Sequence, residues 1–131
     1  MSISTSLSAL LWSPIVTTAA PMTAALNSVN QGTRYGVFGG WCFFSYNLSI
    51  TIGGVLAAQV INLSFPAPSG IVANSVAHVS NGFNGGVSNV IRGGIQFTNQ
   101  QIFLIKSNGV NDVAWAAGAS IFVGNGFYPL Y

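Results

Sequence analysis

The chain has almost no charge. Of 131 residues, three are Lys or Arg and one is Asp or Glu: Arg34, Arg92, Lys106 and Asp112. A soluble domain is ordinarily about one quarter charged. Three scattered cations cannot build the basic stripe that nucleic-acid binding by phosphate neutralisation requires, so no nucleic acid is expected as a partner. One acid excludes paired-carboxylate chemistry within a subunit. There is one histidine, His78, and one cysteine, Cys42, so an internal disulfide is excluded and a metal site lacks its convergent ligands.

Long apolar runs are missing as well. The longest candidate, 113–123, is half the ~20 residues that a spanning helix needs and contains Gly118 and Ser120, so no membrane span is expected. The first twenty residues lack the basic n-region of a signal peptide. An outer-membrane barrel would show aromatic girdles that are not evident here.

The chain is instead half hydrophobic, with 16 glycines, 12 asparagines, nine Phe, four Tyr and three Trp. High hydrophobicity with so little net charge is the opposite of a disordered composition. A length of 131 residues fits one domain. A surface whose polar groups are nearly all uncharged favours association over free monomers, so the composition is that of a protein living inside a larger assembly.

From Trp41 the sequence has a period of two. Cys42, Phe44, Tyr46, Leu48, Ile50 and Ile52 alternate with Phe43, Ser45, Asn47, Ser49 and Thr51, the pattern of a half-buried strand. Further strands are expected at Val55–Phe65, Ile71–Ser80, Val87–Ile91, Ile95–Thr98, Gln101–Lys106 and Ala114–Val123. NGFNGG at 81–86 predicts a hairpin, Gly93-Gly94 a bulge or turn, and Asn108-Gly109 and Asn125-Gly126 further turns. Turn signals every 8–12 residues without strand–helix alternation predict an all-β fold, an antiparallel β-sandwich of jelly-roll type. Residues 1–30 are rich in Ser, Thr and Ala, are interrupted by Pro14 and Pro21, and hold no charge. They are expected to form an extended N-terminal arm whose first strand, near Leu11–Thr18, joins the sheet, with the sandwich domain over 31–131.

No catalytic constellation is expected. A triad assembled from Cys42, His78 and Asn111 or Asp112 fails because Cys42 lies on the apolar face of the clearest strand, where a thiol is a small hydrophobe. The glycine-rich stretches GVFGG and GVSNVIRGG lack the Gly-Lys-Ser/Thr ending of a phosphate loop and read as turns and bulges. No catalytic, cofactor or metal residues are assigned. Most of the aromatic rings fall in strand runs and read as core. The candidate contact residues are Ile3, Leu7, Leu10, Leu11 and Trp12 of the arm, and Phe83 with Asn84 in the 81–86 loop.

Trp12-Ser13-Pro14, the segment GTRYGVFGGWCFFSYNLSI (32–50), the NLSFPAP run (62–68) and AWAAGASIFVGNGFYPLY (114–131) together resemble a recurring β-domain of tailed-bacteriophage virions. That pattern has an early Trp-x-Pro strand, a Gly-x-x-Tyr segment, a long strand after a glycine, a Leu-Pro-Phe-like strand end and a final strand before a terminal aromatic. Here the Leu-Pro-Phe-like element reads Leu63-Ser64-Phe65-Pro66, with the proline displaced. The resemblance covers most of 12–131 and implies a non-enzymatic virion protein, made in the host cytoplasm and trimeric. The leading expectation is a decoration or cement protein that contacts the major capsid protein or another virion protein. The alternative is a tail-fibre or tail-tip module that binds host glycan.

Overall fold

The computed structural model describes residues 9–72, 75–85, 87–88 and 91–131; of 75–81 and 87–88 it describes the backbone alone. The protein is all-β. Among the described residues eleven strands form, in chain order β1 (Leu10–Leu11), β2 (Val16–Thr18), β3 (Met22–Val29), β4 (Arg34–Phe38), β5 (Trp41–Gly54), β6 (Ile61–Ser64), β7 (Ser75–Asn84), β8 (Val87–Ser88), β9 (Ile91–Gln96), β10 (Gln101–Lys106) and β11 (Gly118–Pro129). Two antiparallel sheets pack against each other as a β-sandwich.

Sheet A is organised on β5, which is 14 residues long. Along one side β5 pairs first with β4 (Phe38 opposite Trp41) and then with β3 (Leu26 opposite Ile50). Along the other it pairs with the whole of β11, from Pro129 opposite Trp41 to Gly118 opposite Ile52. β1 extends the sheet beyond β4, and the second half of β7 extends it beyond β11. Sheet B runs β7–β9–β10–β6–β2. β7 belongs to both sheets, pairing with β9 through Ser75–His78 and with β11 through Val79–Phe83. β2 and β3 lie in different sheets and are joined across a cis Ala20–Pro21 bond.

The predicted alternation of β5 is what builds the core. Cys42, Phe44, Tyr46, Leu48, Ile50 and Ile52 are all buried and meet Ile61, Leu63, Ile95, Ile102 and Leu104 of sheet B. Phe122 and Tyr128 of β11 complete this layer, and Trp115 closes one end with its indole N–H donating to the Gln59 carbonyl at 2.7 Å. Tyr128 ties the sheets together at the other end: its hydroxyl donates to the Ala67 carbonyl and accepts from the Ala67 N–H, and its ring stacks on Phe65 at 4.2 Å.

Several local expectations are overturned by pairing at a distance. Asn125-Gly126 is no turn: β11 continues through it because β5 offers partners, Ser45 and Phe44, opposite both residues. Gly93-Gly94 is neither bulge nor turn but the middle of β9, where β10 keeps register. A side chain at Gly94 would lie 2.2 Å from the Phe103 ring, which covers that backbone. In NGFNGG the expected hairpin does form, β7 pairing with β8 through Phe83 opposite Ser88 and Asn84 opposite Val87, but the first Asn-Gly pair lies inside β7 and the chain turns only at Gly85, whose φ is +63°. The expected strand over 55–65 shrinks to β6, with residues 55–60 an irregular cap held by Trp115, whose backbone N–H donates to Ala57 and whose indole reaches Gln59. The stretch read as arm plus first strand supplies three strands, β1 to β3, and Met22 reaches the core.

Candidate interaction face

The two sheets differ in what their outer faces present. Among the described residues, every large hydrophobic that is both exposed and within a strand belongs to sheet A: Leu10, Leu11, Val37, Phe38, Trp41, Phe43, Phe83, Ile121, Val123 and Phe127. On sheet B the corresponding positions hold Asn62, Ser64, Gln96, Gln101 and Arg92, with the part-buried Ile105 opposite Arg92, and Phe103 folds down onto Gly94.

Strand register decides the grouping on sheet A. On β5 the residues opposite in sense to Cys42 and Phe44 are Trp41, Phe43, Ser45, Asn47, Ser49 and Thr51. Across the ladder Phe127 faces Phe43, Asn125 faces Ser45, Val123 faces Asn47 and Ile121 faces Ser49. Phe83 then faces Ile121 from β7, and Phe38 faces Trp41 from β4. Facing pairs share one side of a sheet, so these residues form one surface. Its apolar end is a ring cluster: Phe127 meets Trp41 edge-on at 5.6 Å and Phe43 at 5.8 Å. Phe43 is 47% exposed and Phe127 56%, although each touches the other, because none of the described residues lies over them.

Neutral groups surround the rings. Asn27 donates to Thr51 beside Ser49, and Ser45 donates to the Gly32 carbonyl at 2.7 Å. The only charge aligned with this face among the described residues is Arg34, whose guanidinium is spent on the Gln31 carbonyl at 2.8 Å and the Ala9 carbonyl at 3.3 Å. Arg92 and Asp112 pair with each other at 2.7 Å on the sheet B side.

At one end of the core lies a polar cluster. Asn84 is fully buried; its amide donates to the Ala116 carbonyl at 3.0 Å and to the Ser120 hydroxyl at 2.7 Å. Its carbonyl accepts from the Ala116 N–H at 2.9 Å and from the Lys106 ammonium at 2.7 Å. Every polar atom of Asn84 is thus consumed in joining β7, β10 and β11.

Burial pushes the Cys42 thiol above its ordinary pKa, against a smaller opposing effect of its hydrogen bond with Tyr128. Burial likewise holds the Tyr128 phenol protonated far above its usual range, with the Cys42 contact adding to it. A thiol that resists ionisation is a poor nucleophile. The side chain of His78 lies outside the described residues. Among the described residues no three His, Cys, Asp or Glu side chains gather in a cluster that could hold a metal.

The contact residues expected from sequence divide. Leu10, Leu11 and Phe83 are exposed. Trp12 is not a surface anchor: it is buried, edge-on to Phe44 at 6.0 Å and Tyr46 at 6.4 Å. Asn84 is not one either, for the reasons just given. Ile3 and Leu7 lie outside the described residues. Phe38, Trp41, Phe43, Ile121, Val123 and Phe127 are exposed on this face without being singled out by the sequence pattern, because all of them fall in strand runs. Their signal was available in part, since Trp41 and Phe43 sit on the polar side of the period-two strand. Comparison of the chain with family models, curated proteins and solved structures finds no match.

Proposed function

We propose that this protein is a non-catalytic structural subunit that works by burying the outer face of sheet A against neighbouring protein. Its setting, in this reading, is the tailed-bacteriophage virion, where it decorates and cements the capsid as a trimer. The observation that carries the structural role is the one-sided display of aromatic and aliphatic side chains on an otherwise neutral surface. Contiguous apolar patches of more than a few hundred Å² are rare on free monomers and mark interaction sites. The virion setting is supported by the motif pattern in 12–14, 32–50, 62–68 and 114–131.

The tail-tip alternative asks the same rings to stack on sugar. Trp41 is inclined 67° to Phe127, and Phe43 36°, so the rings present a corrugated surface and no common plane for a pyranose. Corrugation suits interdigitating side chains, which favours protein as the occupant.

Quantitative mass spectrometry of purified particles, with the major capsid protein as internal standard, tests the reading. Hundreds of copies per particle support the cement role. A handful would shift the protein to the tail and replace the proposal by the glycan alternative. Absence would overturn the virion setting.

A further inference from the structure

We infer that the occupant of the sheet A face is a second copy of this chain, and that copies meet through Phe38, Trp41, Phe43, Phe127, Val123 and Ile121. This deepens the structural role proposed above and rests on that reading for its context, but a face that meets its own copy pairs chains two-fold, so pairs take the place of the trimer in that reading.

The size of the face fits. An aromatic side chain carries ~150–250 Å², so the four rings of Phe38, Trp41, Phe43 and Phe127, each about half exposed, present with Ile121 and Val123 on the order of 500 Å² of apolar surface. Asn47, Ser49, Thr51 and Asn125 continue the same face and bring it close to the ~800 Å² per partner of a standard stable interface. A lone ring would not approach that figure.

The chemistry selects a copy of this chain over a different protein. A surface that meets itself must be complementary to itself. A cluster of fixed charges of one sign would work against that condition, because the cluster is brought up to its own copy. This face satisfies it: hydroxyls and amides both donate and accept, so Ser49, Thr51, Asn47 and Asn125 can each pair with the same residue types on another copy. Its one aligned cation, Arg34, is already engaged by the Gln31 and Ala9 carbonyls. A surface built for a charged partner would carry complementary charges at its rim. Among the described residues this face carries no acidic side chain and a single cation, Arg34, which is too little to form a charge pattern for such a partner.

The rings also sit where a copy can be held without disturbing the fold. Trp41, Phe43 and Phe127 are on the long central strands β5 and β11, paired residue for residue. Rigid aromatic anchors lose little entropy on association.

Sedimentation equilibrium of the full chain, with Phe43→Asn and Phe127→Asn variants, tests the inference. The wild type is expected to run at an integral multiple of 13.6 kDa at micromolar concentration. Each variant is expected to weaken association at least tenfold, with the far-UV spectrum unchanged, and the double variant to run as the monomer. Gln101→Ala on the sheet B face controls for nonspecific effects and is expected to stay associated. A wild type that is monomeric throughout, or folded variants that stay associated as the wild type does, would overturn the inference. Particle occupancy is read separately. A monomer whose Phe127→Asn variant no longer enters particles leaves the structural role standing with a different protein as occupant. An oligomer absent from particles leaves the inference standing and removes the virion setting.

Discussion

Replacing Asn84 by alanine should be among the most damaging changes of a single polar group in this protein. The side chain makes four hydrogen bonds from a fully buried position, one of them to an ammonium. A neutral hydrogen bond contributes a net ~0.5–1.5 kcal/mol and one to a charged group ~1.5–3 kcal/mol. Alanine would leave the Ala116 N–H and carbonyl without the partner that holds them. It would also strand the Lys106 ammonium at the end of the core. Lys106 is only partly buried, so water can reach it and offset some of the loss. The expected destabilisation is therefore about 3–4 kcal/mol, a large share of the ~5–15 kcal/mol that holds a domain folded. Lys106→Met gives the contrast. It removes the ammonium but leaves Asn84 bonded to Ala116 and Ser120, and should cost about 1 kcal/mol, since one acceptor lobe loses one donor. Urea denaturation with a common slope reads both changes from the midpoints. A loss below about 1 kcal/mol for Asn84→Ala, or equal losses for the two variants, would refute the picture of Asn84 as the hub of this cluster.

Three further outcomes follow from the structure. Gly54→Ala should destabilise by about 2 kcal/mol or more, because φ is +73° and the new Cβ would lie 2.2 Å from the Pro21 carbonyl; thermal denaturation checks this. Stability should be level from neutral pH to about pH 9 and then fall. Cys42 and Tyr128 both have folded pKa values raised above their unfolded ones, so above that pH the unfolded chain has released protons that the folded chain still holds. Urea midpoints at neutral and alkaline pH read this decline, and it should be shallower in a Cys42→Ala, Tyr128→Phe variant. Finally, association through the sheet A face should change little between low and high salt, because Coulomb screening acts on charges and this face carries only Arg34 among the described residues; a steep loss with salt in sedimentation would contradict an apolar contact.

The architecture was legible where a strand carries its own pattern. Residues 42–52 alternate so regularly that the inner face of β5 could be read directly, and every member of it is buried. What could not be read was set by partners far along the chain. Asn125-Gly126 has the composition of a turn, but twelve consecutive pairings with β5 hold it extended. Trp12 follows two exposed leucines and shares their local character. Only the fold places it edge-on against Phe44 and Tyr46. The same reasoning applies to the interaction face. Alternation assigns Trp41 and Phe43 to one side of a strand, but whether that side is covered depends on the second sheet, which packs on the other side. Phe83 could be singled out because glycine and asparagine isolate it. Phe127 could not, because its neighbours along the chain do not reveal that it faces Phe43.

The central claim is that the outer face of sheet A is the buried face of the working assembly. Hydroxyl-radical footprinting of the protein as assembled and after dilution to the monomer tests it residue by residue. Strong protection of Trp41, Phe43 and Phe127 on assembly is expected, with Phe103 of sheet B unchanged and the already buried Trp115 silent in both states. Equal labelling of Trp41, Phe43 and Phe127 in the two states, or protection confined to sheet B, would contradict it.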